Sequence, residues 1–133
     1  MPSSSPKPQD EALQPFSLAA RELAPGRVAI EVSGELDLAV ASQVQAAITD
    51  ASEGNGIVVV QLAACGFIDS TAIAILIHAR QALAARGGRL LLVEPVGQVR
   101  HVLEVSGLLE PDFVFDSVDA ALADLGQRSS STS

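Results

Sequence analysis

Aromatic and basic residues are scarce in this sequence. Its 133 residues contain four Phe and no Trp or Tyr, and 8 Lys and Arg stand against 16 Asp and Glu, which gives a net charge of −8. Proteins that bind nucleic acid normally present basic side chains to the phosphates and aromatic rings to the bases. The composition therefore argues against direct contact with DNA or RNA.

Cysteine is almost absent as well. Cys65 is the single cysteine, so an intramolecular disulfide and a cysteine-based zinc site are both excluded. No apolar run approaches the ~20 residues that a membrane-spanning helix needs, and the sequence does not begin with the basic and apolar segments of a secretory signal. We therefore expect a cytoplasmic protein that does not insert into a membrane.

Hydrophobic residues, by contrast, make up 48% of the chain, and its length suits one compact domain. The composition changes at both ends: residues 1–14 are rich in Ser and Pro, and residues 127–133 are mostly Ser and Thr. Segments of this kind lack the apolar residues needed to form a core. We predict a single domain over residues 15–126 between two flexible tails.

Strand and helix patterns alternate through the predicted domain. Two strand-like segments, 16–23 and 27–33, flank a Pro-Gly turn, which indicates an opening antiparallel hairpin. The apolar patterns predict further strands at 57–62, 89–94 and 113–115, and helices at 37–53, 70–86, 95–106 and 117–125. The order ββαβαβαβα predicts an α/β fold with a mixed, mostly parallel sheet.

Two hydroxyl side chains, those of Ser70 and Thr71, lie at the junction between an apolar strand and a predicted helix. The start of a helix presents backbone N–H groups without intrahelical partners and the positive end of the helix dipole. A phosphate added to Ser70 would therefore lie in a favourable electrostatic setting. The start of this helix is expected near the carboxyl ends of the strands, where α/β sheets tend to place their functional groups.

A resemblance to the STAS domain of bacterial anti-sigma factor antagonists covers most of residues 16–125. It rests on the order and spacing of four segments, which are Gly34-Glu35-Leu36-Asp37, Phe67-Ile68-Asp69-Ser70-Thr71, Gly87-Gly88 and Val105-Ser106-Gly107-Leu108. The resemblance implies a partner switch. The unmodified domain binds an anti-sigma factor and frees the sigma factor, and phosphorylation of a serine, here Ser70, blocks that binding.

The same resemblance implies roles in partner binding for Asp37, Asp69, Ser70 and Thr71. It also implies that the anti-sigma factor is an ATP-dependent serine kinase and that a separate protein phosphatase restores the active form. We therefore expect no cofactor in this chain, because ATP belongs to the partner. Helix capping is the alternative role of the two aspartates, and the two roles are compatible. Thr71 is a second candidate phosphoacceptor, and its simpler role is that of a residue in the first helical turn.

The chain departs from the family pattern after Thr71, where Ala72-Ile73-Ala74 replaces the usual Gly-Leu-Gly. The added methyl groups suit a helix but narrow the room for a kinase to approach the backbone. This departure keeps a second function open, a STAS-type accessory subunit of a membrane transport ATPase system that is not phosphorylated. A stressosome-like scaffold is a third alternative. We expect a monomer or weak dimer in solution.

Enzymatic activity is not expected. A serine hydrolase would need a histidine within about 3 Å of the Ser70 hydroxyl. His78 lies a rise of roughly 12 Å further along the same predicted helix, and His101 belongs to a different helix. The histidines and carboxylates are dispersed along the sequence, so no metal site is expected either.

Overall fold

The computed structural model describes residues 15–132, with side chains described for residues 15–126. This part of the chain forms six strands and four helices in the order ββαββαβαβα. The strands are β1 (Ser17–Ala24), β2 (Arg27–Leu36), β3 (Ile57–Gln61), β4 (Cys65–Ile68), β5 (Arg89–Val93) and β6 (Val114–Phe115), and the helices are α1 (Ala41–Ser52), α2 (Ser70–Ala85), α3 (Gly97–Val105) and α4 (Val118–Thr132). The predicted N-terminal tail, residues 1–14, lies outside the described residues.

The sheet has the strand order β1-β2-β3-β5-β6, with β4 paired to β2. β1 is antiparallel to β2, and the remaining pairs are parallel. This arrangement confirms the predicted α/β class, the opening hairpin and the mixed, mostly parallel sheet. Because neighbouring strands are parallel, the carboxyl ends of β2, β4 and β5 lie at one edge of the sheet.

Helices cover both faces of the sheet, which explains why the central strands are apolar without alternation. On one face, Val58 and Val60 of β3 pack in a large cluster with buried side chains of α1, α2 and α3. On the other face, Val59 packs in a smaller cluster with Ala121 and Leu125 of α4. The helices therefore cover β3 on both faces of the sheet.

The short strand β4 was not among the predicted elements. It has four residues, includes Gly66, and its burial does not alternate. Ten-residue β2 pairs with β3 along its first half and with β4 from Gly34 to Leu36. β4 thus extends the sheet beyond the end of β3, and it places the start of α2 at this extension.

The first helix begins later than the predicted start at Asp37. Residues 38–40 form a turn, and α1 begins at Ala41. The Asp37 Oδ1 accepts a hydrogen bond from the Ala39 N–H at 3.0 Å, and the Val40 N–H donates to the Asp37 carbonyl at 3.1 Å. Asp37 therefore caps this turn and not the helix, so its predicted helix-capping role is wrong.

The last helix runs past the predicted stop at Gly126 and continues to Thr132. A glycine ends a helix when it takes a positive φ, as Gly87 does after α2 with φ 81°. Gly126 does not take a positive φ, so it costs about 1 kcal/mol relative to Ala without ending the helix. The backbone of residues 127–132 is consequently helical, where a flexible tail was predicted.

Among the helices of residues 15–132, none combines the length and apolar character that a membrane span requires.

Candidate functional site

Ser70 is the first residue of α2, as predicted, and its side chain is exposed. The buried last residue of β4, Ile68, precedes it by two positions. The Ala72 N–H and the Ile73 N–H both bond to Asp69, to its side chain and its carbonyl respectively. The first two N–H groups of a helix have no intrahelical partner, so those of Ser70 and Thr71 are available to an added phosphate.

Asp69 joins α2 to the turn that follows β2. It is the N-cap of α2, and its Oδ1 accepts a hydrogen bond from the Ala72 N–H at 2.9 Å. Its Oδ2 accepts from the Leu38 N–H, also at 2.9 Å. The helix-capping role of Asp69 is confirmed, and the second bond was not predicted. The turn that contains Asp37 is thereby held against the start of α2.

Thr71 is half-buried in the first turn of α2, and Ala72 and Ala74 follow it. Ala72 is 1% exposed and belongs to the main core cluster, whereas Ala74 is exposed. The expectation that both methyl groups narrow the approach to the backbone is therefore wrong for Ala72, since its methyl group faces the core. Of the two, Ala74 alone places its added methyl group on the surface.

Three exposed apolar side chains lie on the segments around Ser70. Leu38 is 71% exposed, Phe67 37% and Val96 51%. Leu38 is in the turn tied to Asp69, Phe67 is in β4, and Val96 is the N-cap of α3. We call Leu38, Phe67, Ser70 and Val96 the Ser70 surface. A contiguous exposed apolar patch rimmed by polar residues marks an interaction site.

The start of α3 lies beside β4 because the Gln98 side chain forms two hydrogen bonds with the Ile68 backbone. α3 begins at Gly97, two residues after the predicted start at Pro95, and Val96 is extended. Sequence reasoning missed both Val96 and Gln98 as site residues. For Val96, the one signal in the sequence was an apolar residue between the end of a strand and the start of a helix, and this pattern is a weak indicator of a binding residue.

Acidic side chains accompany the Ser70 surface. Asp37 and Asp69 belong to its segments, and Glu35 and Glu94 lie at or near the carboxyl ends of β2 and β5. Glu94 has a positive φ of 60°, which is uncommon for a residue with a side chain, and its N–H donates to the Phe115 carbonyl at 2.9 Å. The edge that carries Ser70 is therefore negatively charged.

Cys65 begins β4 and is 1% exposed. Burial raises the pKa of its thiol, with backbone hydrogen bonds opposing the shift. The Cys65 Sγ donates a hydrogen bond to the Phe67 carbonyl at 3.3 Å. A buried neutral thiol with a raised pKa is a packed side chain and not a reactive one.

A hydrolytic site does not assemble around Ser70. His78 and His101 are both exposed, one eight residues along α2 and the other on α3. Within the described part of the chain, no hydrogen bond joins a histidine to Ser70. That part also contains no group of three His, Cys, Asp or Glu side chains placed to hold a metal ion.

A model of the STAS domain family matches residues 19–121. The chain is similar to the anti-sigma factor antagonist SpoIIAA of Bacillus in its unphosphorylated form, with a TM-score of 0.71 and 24% identity over 84% of this chain and 97% of that one. The phosphorylated form gives a TM-score of 0.65 and 22% identity over 82% and 99%.

Two further structures come from different functional classes. An anti-sigma factor antagonist from Mycobacterium paratuberculosis gives a TM-score of 0.72 and 23% identity over 83% of this chain and 93% of that one. A sulfate transporter family protein from Wolinella succinogenes gives 0.66 and 24% over 77% and 87%. At these identities the likeness shows a shared fold.

Proposed function

The chain belongs to the STAS domain family, and from this premise we propose that it is an anti-sigma factor antagonist that works by partner switching. With Ser70 unmodified, the chain binds an anti-sigma factor of the serine kinase type and so regulates transcription. Phosphorylation of Ser70 releases the anti-sigma factor, and a protein phosphatase reverses the modification. The observation that carries the proposal is an exposed hydroxyl at the start of α2, within a surface of exposed apolar side chains.

The accessibility of Ser70 supports its role as a phosphoacceptor. The Ser70 side chain is exposed. The Asp69 carboxylate accepts from the Ala72 N–H and does not occupy the N–H groups of Ser70 and Thr71, the first two of α2. A kinase therefore reaches the hydroxyl without unfolding the helix, and the phosphate meets the positive end of the helix dipole. Asp37, Asp69 and Thr71 line the same place, and they are part of the surface that the partner contacts.

The surroundings of Ser70 explain how a phosphate blocks binding. A phosphoserine adds about −1.5 to −2 charges to an edge that already carries Asp37 and Asp69. Arg100, one turn into α3, is engaged in an ion pair with Asp116 at 3.7 Å. A partner that covers Leu38 and Phe67 must then desolvate the phosphate, at a cost of several kcal/mol. Affinity falls by orders of magnitude without a change in fold.

An accessory subunit of a membrane transport system is the second candidate function. The likeness in fold to the sulfate transporter family protein is the observation that supports it. In this alternative the Ser70 surface binds a transport protein, and Ser70 is not phosphorylated. The two functions differ in whether a charge at Ser70 controls binding.

The test is a titration of Ser70→Ala and Ser70→Asp against the purified kinase-type anti-sigma factors of the host. We expect Ser70→Ala to bind like the wild type and Ser70→Asp to bind at least tenfold more weakly, which corresponds to ~1.4 kcal/mol. Ser42→Asp is the matched control, because Ser42 is exposed in the first turn of α1. Equal affinities of both Ser70 variants would contradict the switch. Equal binding of both variants to a purified transport ATPase of the host, in the same titration, would support the alternative instead.

A further inference from the structure

The side chain of Gln98 links α3 to the residue that ends β4. Its Oε1 accepts a hydrogen bond from the Ile68 N–H at 2.9 Å, and its Nε2 donates to the Ile68 carbonyl at 3.0 Å. The two residues are 30 positions apart in the sequence. Because both bonds go to one residue, the side-chain amide pairs with the Ile68 backbone as a neighbouring peptide group would.

The need for this pairing follows from the geometry of β4. The strand pairs with β2 on one side, where the Asp69 N–H donates to the Leu36 carbonyl. The N–H and C=O groups of one strand residue point to the same side, so those of Ile68 point away from β2. β3 ends at Gln61 and does not reach this position. Gln98 therefore supplies the partner that a neighbouring strand would otherwise provide.

The three apolar side chains of the Ser70 surface lie on three segments, and two polar side chains hold these segments together. Leu38 lies on the turn after β2, which the Asp69 carboxylate ties to the start of α2. Phe67 lies in β4 beside Ile68. Val96 lies at the start of α3, which Gln98 ties to Ile68. Each exposed apolar side chain thus belongs to a different segment, and the relative position of Val96 depends on Gln98.

We propose that Gln98 is a positioning residue of the Ser70 surface. It fixes the start of α3 relative to the β4–α2 junction, so that a protein partner meets Leu38, Phe67 and Val96 as one preformed surface next to Ser70. A preformed surface loses less conformational freedom on binding than a surface with an independently moving segment. Gln98 acts through the Ile68 backbone and not by contact with the partner. This inference rests on the proposed function.

The first arm of the test needs no partner. Gln98→Met keeps the length of the side chain and removes both hydrogen bonds, and Gln43→Met is the matched control because Gln43 is exposed on α1. Amide hydrogen exchange is measured by NMR in the free full-length protein. We expect the Ile68 amide to exchange at least tenfold faster in Gln98→Met and at the wild-type rate in Gln43→Met. The Val59 amide of the central strand should be unchanged in both.

The second arm measures phosphorylation of Ser70 by the host's purified kinase-type anti-sigma factors with ATP. We expect Gln98→Met to raise KM at least tenfold, or ~1.4 kcal/mol, with kcat within about twofold, because the surface and not the hydroxyl is altered. Wild-type exchange at Ile68, or faster exchange with an unchanged KM, would overturn the proposal. If the wild-type chain is not phosphorylated, the proposed function fails, and exchange at Ile68 alone decides whether Gln98 holds the junction.

Discussion

The Asp69 side chain joins the turn after β2 to the start of α2, and its removal should lower the stability of the fold. Its carboxylate accepts two backbone hydrogen bonds through different oxygens, from Ala72 and from Leu38. Loss of an N-cap side chain costs about 0.5–2 kcal/mol, and a hydrogen bond to a charged group contributes about 1.5–3 kcal/mol before allowance for solvent exposure. Because Asp69 is half-buried, we expect Asp69→Ala to lower the free energy of unfolding by about 2–3 kcal/mol.

The Asp69→Asn variant distinguishes the two bonds. Its amide has one oxygen, which retains the bond from Ala72, while its NH₂ group would face the Leu38 N–H and repel it. We therefore expect a loss of about 1 kcal/mol, measured by urea unfolding followed by circular dichroism. Asp37→Ala is the control, since the Asp37 side chain accepts one local hydrogen bond, from the Ala39 N–H. Full wild-type stability of Asp69→Asn, or an equal loss in Asp37→Ala, would refute the two-bond account of Asp69.

Two further predictions concern packing and pH. Gly88→Ala should destabilise the fold by about 1–3 kcal/mol, because an added Cβ would lie 2.5 Å from the Gly56 carbonyl oxygen; Gly66→Ala, whose Cβ meets nothing within 4 Å, is the control, and equal unfolding midpoints would contradict the clash. Burial raises the pKa of the Cys65 thiol from its ordinary value of 9.0, so the folded state holds this proton more tightly and stability falls as the pH rises above about 9. The chain has no Tyr and one Lys, so few other side chains titrate in this range. The loss of stability with rising pH should therefore be smaller in Cys65→Ala than in the wild type, and urea midpoints that fall equally in both proteins would contradict this prediction.

Elements defined by local patterns were predictable from the sequence, and those defined by distant contacts were not. The apolar runs of β3 and β5 predicted central strands, and Gly87 predicted the end of α2, because each signal lies within its own segment. β4 has four residues, and its pairing depends on β2 and on the Gln98 side chain 30 positions away. No periodicity over four residues carries that information.

The candidate site divides in the same way. The position of Ser70 at the start of α2 followed from the helix pattern that begins there, and the capping role of Asp69 followed from its place before the helix. The exposure of Leu38 and Val96 could not be predicted, since an apolar residue between two elements is equally able to enter the core. Which of these side chains stays outside depends on the tertiary contacts that place the turn and α3.

The two alanines that replace the family's usual glycines bear on the choice between the proposed functions. Ala72 is buried in the core cluster, so its methyl group fills space on the inner side of α2 and leaves the outer surface unchanged. Each Gly→Ala change inside a helix contributes about 1 kcal/mol to helix stability. Ala74 alone adds a group to the surface, one turn beyond the Ser70 hydroxyl. The departure is therefore mainly a gain in helix stability, and by itself it does not favour the transport alternative over phosphorylation.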